Sequence, residues 1–95
     1  MRVHVHHYGV DDEVFDEFLR RRAAVIDAVR SRHPALNATT LVRLEDGGYT
    51  DTWQWDDAEA MGAAFASLPD LPEAGAAMSL TTGATGRSGE VVAVR

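Results

Sequence analysis

The stretch Tyr49-Thr50-Asp51-Thr52-Trp53-Gln54-Trp55, running straight into Asp56-Asp57-Ala58-Glu59-Ala60-Met61, decides how this chain folds. Its first half alternates with the period of a strand. Tyr49, Asp51, Trp53 and Trp55 share one face, and Thr50, Thr52 and Gln54 share the other. Its second half switches to helical spacing. Asp56 or Asp57 acts as N-cap, and Ala58, Met61, Ala64, Phe65 and Leu68 form a narrow, Ala-rich apolar face that stops before Pro69. Immediately upstream, Asp46-Gly47-Gly48 supplies positive-φ residues for a tight hairpin, which makes Thr39 to Glu45 the partner strand.

Farther toward the N-terminus, Val3, Val5 and His7 alternate with Arg2, His4, His6 and Tyr8. This predicts a strand with one aliphatic and one His-rich face. Asp11, Asp12 and Glu13 then open a helix, where negative charge and a side-chain oxygen suit the free backbone N–H groups. Val14, Phe15, Phe18, Leu19, Val25, Ile26 and Val29 recur at three- and four-residue intervals along it. Asp16 with Arg20 and Glu17 with Arg21 are i,i+4 pairs, and Arg20 to Arg22 reads as a solvated surface. Arg30, Arg32 and His33 gather at its C-terminal end, and Pro34 stops it.

Beyond Pro69 and Pro72, Glu73 to Leu80 is expected to add a short helical stretch. Thr81 to Gly89, rich in Gly, Ser and Thr, reads as a mobile loop, and Glu90 to Arg95 as the last strand. Residues 1–95 are therefore expected to form a single α+β domain of the ferredoxin-like βαββαβ kind. Right-handed crossovers place two helices on one face of a four-stranded antiparallel sheet. The uncovered face, on a chain of only 95 residues, points to a homodimer.

Composition removes several classes of function. Nine basic residues, all Arg, stand against 15 acidic ones, for a net charge of −6, so no nucleic-acid partner is expected. There is no cysteine, hence no disulfide and no thiol chemistry. No apolar run approaches membrane-spanning or signal-peptide length, so no membrane partner and a cytoplasmic location are expected. With no Gly-rich dinucleotide loop either, no cofactor is expected.

Gly48 to Met61, and Trp55-x-Asp57-x-Glu59-Ala60-Met61 within it, resembles the hairpin and second helix of the antibiotic biosynthesis monooxygenase-like dimeric α/β-barrel family. Element order, length and His33-Pro34 extend that resemblance loosely over the chain. It implies a dimeric barrel and a cofactor-free monooxygenase acting on a small aromatic or polyketide-like substrate. The family also spans haem-degrading enzymes, small isomerases and members without established activity. Its haem-degrading members use an Asn on the first strand, a Trp near the end of the third and a His on the second helix. Only Trp55 matches, so the resemblance does not extend to haem chemistry.

On that reading His6 is the catalytic base, able to take a phenolic or enolic proton near neutral pH. His4, Tyr8, Tyr49, Asp51, Trp53 and Trp55 are the substrate-binding set, with flat rings for stacking and Tyr hydroxyls to orient oxygen substituents. The same residues are also accommodated as ordinary core or rim groups. Asp51 on a central strand needs a partner, for which Arg43, His4 and His6 are the candidates. No metal site is expected, because His4 and His6 have no third ligand at suitable spacing. If oxygen is not used, two functions remain open: a noncatalytic small-molecule-binding or regulatory dimer, and a proton-transfer isomerase or cyclase using the same His base.

Overall fold

The computed structural model of the chain describes residues 1–95. In chain order the elements are β1 (Arg2–Val10), α1 (Phe15–Arg32), β2 (Leu36–Arg43), β3 (Tyr49–Trp55), α2 (Ala58–Ser67), α3 (Pro72–Met78) and β4 (Thr81–Glu90). Single 3₁₀ turns at Asp12–Val14 and Leu68–Asp70 precede α1 and α3. The sheet order is β2-β3-β1-β4, with every neighbouring pair antiparallel. This is the ferredoxin-like α+β arrangement, with helices packed on one face of the sheet.

The decisive segment behaves as its two periodicities require. Along β3 burial alternates strictly, with Tyr49, Asp51, Trp53 and Trp55 buried and Thr50, Thr52 and Gln54 between them half-buried. Asp57 is the N-cap of α2, its carboxylate accepting from the Ala60 backbone N–H at 2.8 Å. Residues opposite one another across a ladder share a face, so the pairing of β1 with β3 puts His4, His6 and Tyr8 on the helix side with Trp53, Asp51 and Tyr49. Val3, Val5 and His7 therefore look outward. The core falls into two clusters under the helices. One is built on Val25, Ile26, Val29, Leu36, Trp53, Trp55 and Met61, the other on Tyr8, Val10, Phe18 and Tyr49.

Several sequence expectations are corrected. The final strand is Thr81–Glu90, the segment read as a mobile loop, and residues 91–95 carry no regular structure. The Gly/Ser/Thr-rich composition misleads because β4 is an edge strand paired only with β1, so it has few apolar contacts to make. β2 starts earlier than Thr39. Leu36 pairs with Trp55, and a register shift follows between Leu36 and Ala38. In the hairpin only Gly47 has positive φ, at 91°. The Asp46 carboxylate instead accepts from the Gly48 N–H at 2.9 Å, an Asx-type closure of the turn. At the start of α1 the Asp11 side chain makes no cap, and its carbonyl accepts from Val14 N–H at 3.1 Å. Glu17 pairs with both Arg20 and Arg21, in place of the expected Asp16 to Arg20 pair. α3, at Pro72–Met78, is the short helical stretch expected over Glu73 to Leu80, beginning one residue earlier and ending two residues sooner.

Leu36 is 2% exposed in the cluster that holds Trp55 and Val29, and pairs with Trp55 across the ladder. Leu36→Ala is expected to destabilise by about 2–5 kcal/mol, read as a lower urea midpoint with unchanged slope. A loss below about 0.5 kcal/mol, the size of an ordinary surface substitution, would show that this residue is not enclosed.

Candidate functional site

Between the sheet and the helices lies a cavity of about 80 Å³. Its sheet-side wall is His6 and Tyr8 from β1 with Asp51 and Trp53 from β3. α1 adds Phe18, Arg22 and Val25. Phe65, Leu68, Ala74, Ala77 and Met78 close it from α2, the 3₁₀ turn and α3. Polar groups thus converge on one wall of an otherwise apolar space, the usual character of a small-molecule site.

Asp51 organises that wall. It is the single charged residue in the buried set, 4% exposed, and its carboxylate receives four hydrogen bonds. Tyr8 OH donates to Oδ2 at 2.6 Å, Arg22 Nε to Oδ2 at 2.9 Å, Arg22 Nη2 to Oδ1 at 2.8 Å and Trp53 Nε1 to Oδ1 at 3.1 Å. The expected partners Arg43, His4 and His6 do not fill this role. Arg43 instead donates to Tyr49 OH at 2.9 Å and lies over the Phe15 ring. Nor is Arg22 part of a solvated surface, since only 15% of its side chain is exposed. The signal was present in the spacing. Phe18, Arg22, Val25 and Val29 follow one another at steps of four, three and four, so Arg22 interrupts the apolar stripe from within. An arginine there needs a buried anion opposite it.

With its oxygens engaged by four donors, Asp51 serves as a fixed acceptor. Tyr8 is likewise held as a neutral donor. Burial first, then its bond to Asp51 and that residue's charge, push its phenol well above the ordinary value. His6 differs. It lines the cavity, and burial lowers its imidazole below the usual value despite the opposing influence of Asp51 across the ladder. At neutral pH it is therefore uncharged and able to accept a proton.

Of the residues singled out from sequence, His6, Tyr8, Asp51 and Trp53 meet at the cavity, and His4, Tyr49 and Trp55 lie outside its wall. Tyr49 stacks on Phe15 at 5.2 Å in the second cluster. Trp55 is wholly enclosed, edge-on to Phe65 at 6.1 Å. His4 packs edge-on to Phe65 at 4.8 Å, and its Nδ1 shares a hydrogen bond with Ser88 Oγ at 2.7 Å. Beyond Arg22, the helix-side wall was not singled out from sequence. Its Ala and Met residues carry no chemical signature and gain their role only through position. No three His, Asp or Glu side chains gather closely enough to hold a metal ion.

Burial also lowers His4, helped by repulsion from His6. Both imidazoles then bind protons less readily folded than unfolded. Their contribution to stability is present above the unfolded value near 6.5 and is lost as pH falls through it toward the folded values. Urea midpoints are expected to drop between pH 7.5 and 5.5, and a variant combining His4→Gln and His6→Asn should show a shallower drop. An equal drop in both proteins would remove these histidines as the cause.

No protein-family model and no curated protein sequence matches the chain. Solved structures do. SnoaB, a cofactor-independent oxygenase from Streptomyces nogalater, is 25% identical with a TM-score of 0.79, covering 98% of this chain and 94% of that one. MhuD, a haem-degrader from Mycobacterium tuberculosis, is 25% identical with a TM-score of 0.68, covering 100% and 99%. The fold of an antibiotic biosynthesis monooxygenase also matches, at 16% identity and a TM-score of 0.73, covering 98% and 100%. The residues here do not fit a haem. The cavity is about 80 Å³, its one imidazole is His6 on the sheet, and α2 contributes Phe65. Sheet order, helix placement and near-complete coverage agree that the structural neighbours of this chain are antibiotic biosynthesis monooxygenase domain proteins, SnoaB among them.

Proposed function

We propose that the chain is a cofactor-independent monooxygenase that binds a small aromatic, enolisable molecule in the cavity and uses His6 as its base. The observation that carries this reading is the place of the His6 imidazole, in the wall of an apolar cavity beside an Asp51 already engaged by four donors, where burial holds it below the usual imidazole value. His6 takes the proton, and desolvation by the apolar walls keeps the resulting carbanion or phenolate reactive. The electrons then come from the substrate. A ring CH₂ and dioxygen give a carbonyl and water, one oxygen atom in each product. Trp53 and Phe65 bound the ring, and Tyr8, Asp51 and Arg22 hold the polar wall rigid. The oxygenase SnoaB, with its similar fold, supports this choice among the functions the fold carries.

Space limits the substrate. A cavity of about 80 Å³ is smaller than the about 150 Å³ that takes a benzene ring, so a ligand enters only as the helix-side wall gives way. Phe65→Ala should therefore strengthen binding of naphthol-sized probes, measured by calorimetry, and Ala77→Leu should weaken it. Oxygen uptake with a panel of enolisable phenols tests the reaction itself. His6→Ala is expected to lower turnover by at least about 100-fold while probe affinity changes little. If the unsubstituted protein consumes no oxygen with any of them, the monooxygenase reading fails. Product without oxygen uptake makes it a proton-transfer isomerase.

The same reading takes the working form as a homodimer that covers the outer sheet face, where Val3, Val5, Thr50 and Thr52 are half-buried and Val42 is exposed. Light scattering should give twice the 10.3 kDa chain mass, and Val5→Glu should reduce it to one chain. A single-chain mass without substitution sinks this part.

A further inference from the structure

Next to the cavity, on the helix side of the β1–β4 ladder, is a cluster that touches the site without lining it. Ser88 stands opposite His4 and Gly86 opposite His6, so all four share one face. The His4 ring is held at Nδ1 by the Ser88 hydroxyl at 2.7 Å and leans over Gly86. A Cβ added at Gly86 would lie 2.6 Å from His4 Nε2 and 3.6 Å from His6 Cδ2, so any side chain there displaces the ring. In this seat His4 meets two residues that do line the cavity. Its ring is edge-on to His6 at 4.3 Å and to Phe65 at 4.8 Å.

We infer that His4 is a positioning residue for His6, with Ser88 as its tether and Gly86 as the space that admits it. The inference rests on the reading of His6 as the base. Two torsions orient an imidazole, and packing against a neighbouring ring is what selects one rotamer. From the other directions His6 faces Asp51 and Trp53 of β3, Arg22 of α1 and Tyr8 of its own strand, with the charge of His7 felt from the far sheet face. The cavity walls from α2, the 3₁₀ turn and α3 present only Phe65, Leu68, Ala74, Ala77 and Met78. On the β4 side the His6 ring therefore meets the His4 ring of its own strand at 4.3 Å and the Gly86 backbone across the ladder, while Trp53 stands edge-on at 6.1 Å on the β3 side. This arrangement also explains a glycine in mid-strand, where glycine otherwise weakens pairing.

The test follows the imidazole signals of His4 and His6 by nitrogen-15 NMR in the ligand-free protein, together with kcat and KM for oxygen uptake. Ser88→Ala should release His4 into mixed tautomers, move the His6 signals and lower kcat about fivefold, as loss of one hydrogen bond does, with KM unchanged. Ser88→Thr should restore all three. Gly86→Ala, which drives the ring out of its seat, should lower kcat by about 100-fold. His4→Phe keeps a ring in the seat and should keep most of the rate that His4→Ala loses. If the His6 signals and titration midpoint are the same in Ser88→Ala, Gly86→Ala and His4→Ala as in the parent protein, the positioning role is overturned. Failure of the base reading looks different. Turnover then survives His6→Ala, while movement of the His6 signals in the tether variants still supports the positioning.

Discussion

A carboxylate with four donors holds this molecule's interior in register. Asp51 is reached by a tyrosine from β1, an arginine from α1 and a tryptophan from its own strand, so one side chain ties the sheet to its main helix. Burying a charge is costly unless its partners are complete, and the bidentate Arg22 contact with two further donors meets that condition. Removing either charge leaves the other stranded, and a pair of this kind constrains geometry more surely than it adds stability. The cost is offset by the aromatic rings around it. Trp53 and Tyr8 are both donors to Asp51 and members of the two core clusters.

The consequence for chemistry is a division of labour along one cavity wall. Because Asp51 and Tyr8 are committed to each other, the proton-accepting capacity of the cavity falls to His6. Its basicity is set by competition. Burial lowers it, the nearby carboxylate raises it, and burial wins. Apart from Arg22, the opposite wall supplies only shape. Ala74 and Ala77 are small enough to leave a space, and Phe65 and Leu68 keep it apolar.

Much of the fold was legible from period alone. The alternation of Tyr49 to Trp55 and the helical spacing after Asp57 each have one structural solution on a sheet with a single covered face, and burial along β3 follows it residue by residue. β4 was not legible, since an edge strand of Gly, Ser and Thr has no periodic apolar signal. Its glycine at position 86 answers to His4, which is 82 residues away in the chain and adjacent only across the ladder. Arg22 lay in between. Its place in an apolar stripe was visible, yet a run of three arginines reads first as surface.

By itself, the sequence determined which residues share a face, where the helices begin and stop, and that an aspartate with two tryptophans lies on a central strand. Those properties depend on local backbone geometry, which neighbouring residues dictate. Only the tertiary structure decided that the His-rich face of β1 turns inward, that Arg22 rather than Arg43 or a histidine meets Asp51, and that Trp55 is sealed in the core while His6 reaches the cavity. Those outcomes depend on strand order and on how the helices seat against the sheet. Strand pairing is a contact between distant segments, which no single stretch of chain encodes.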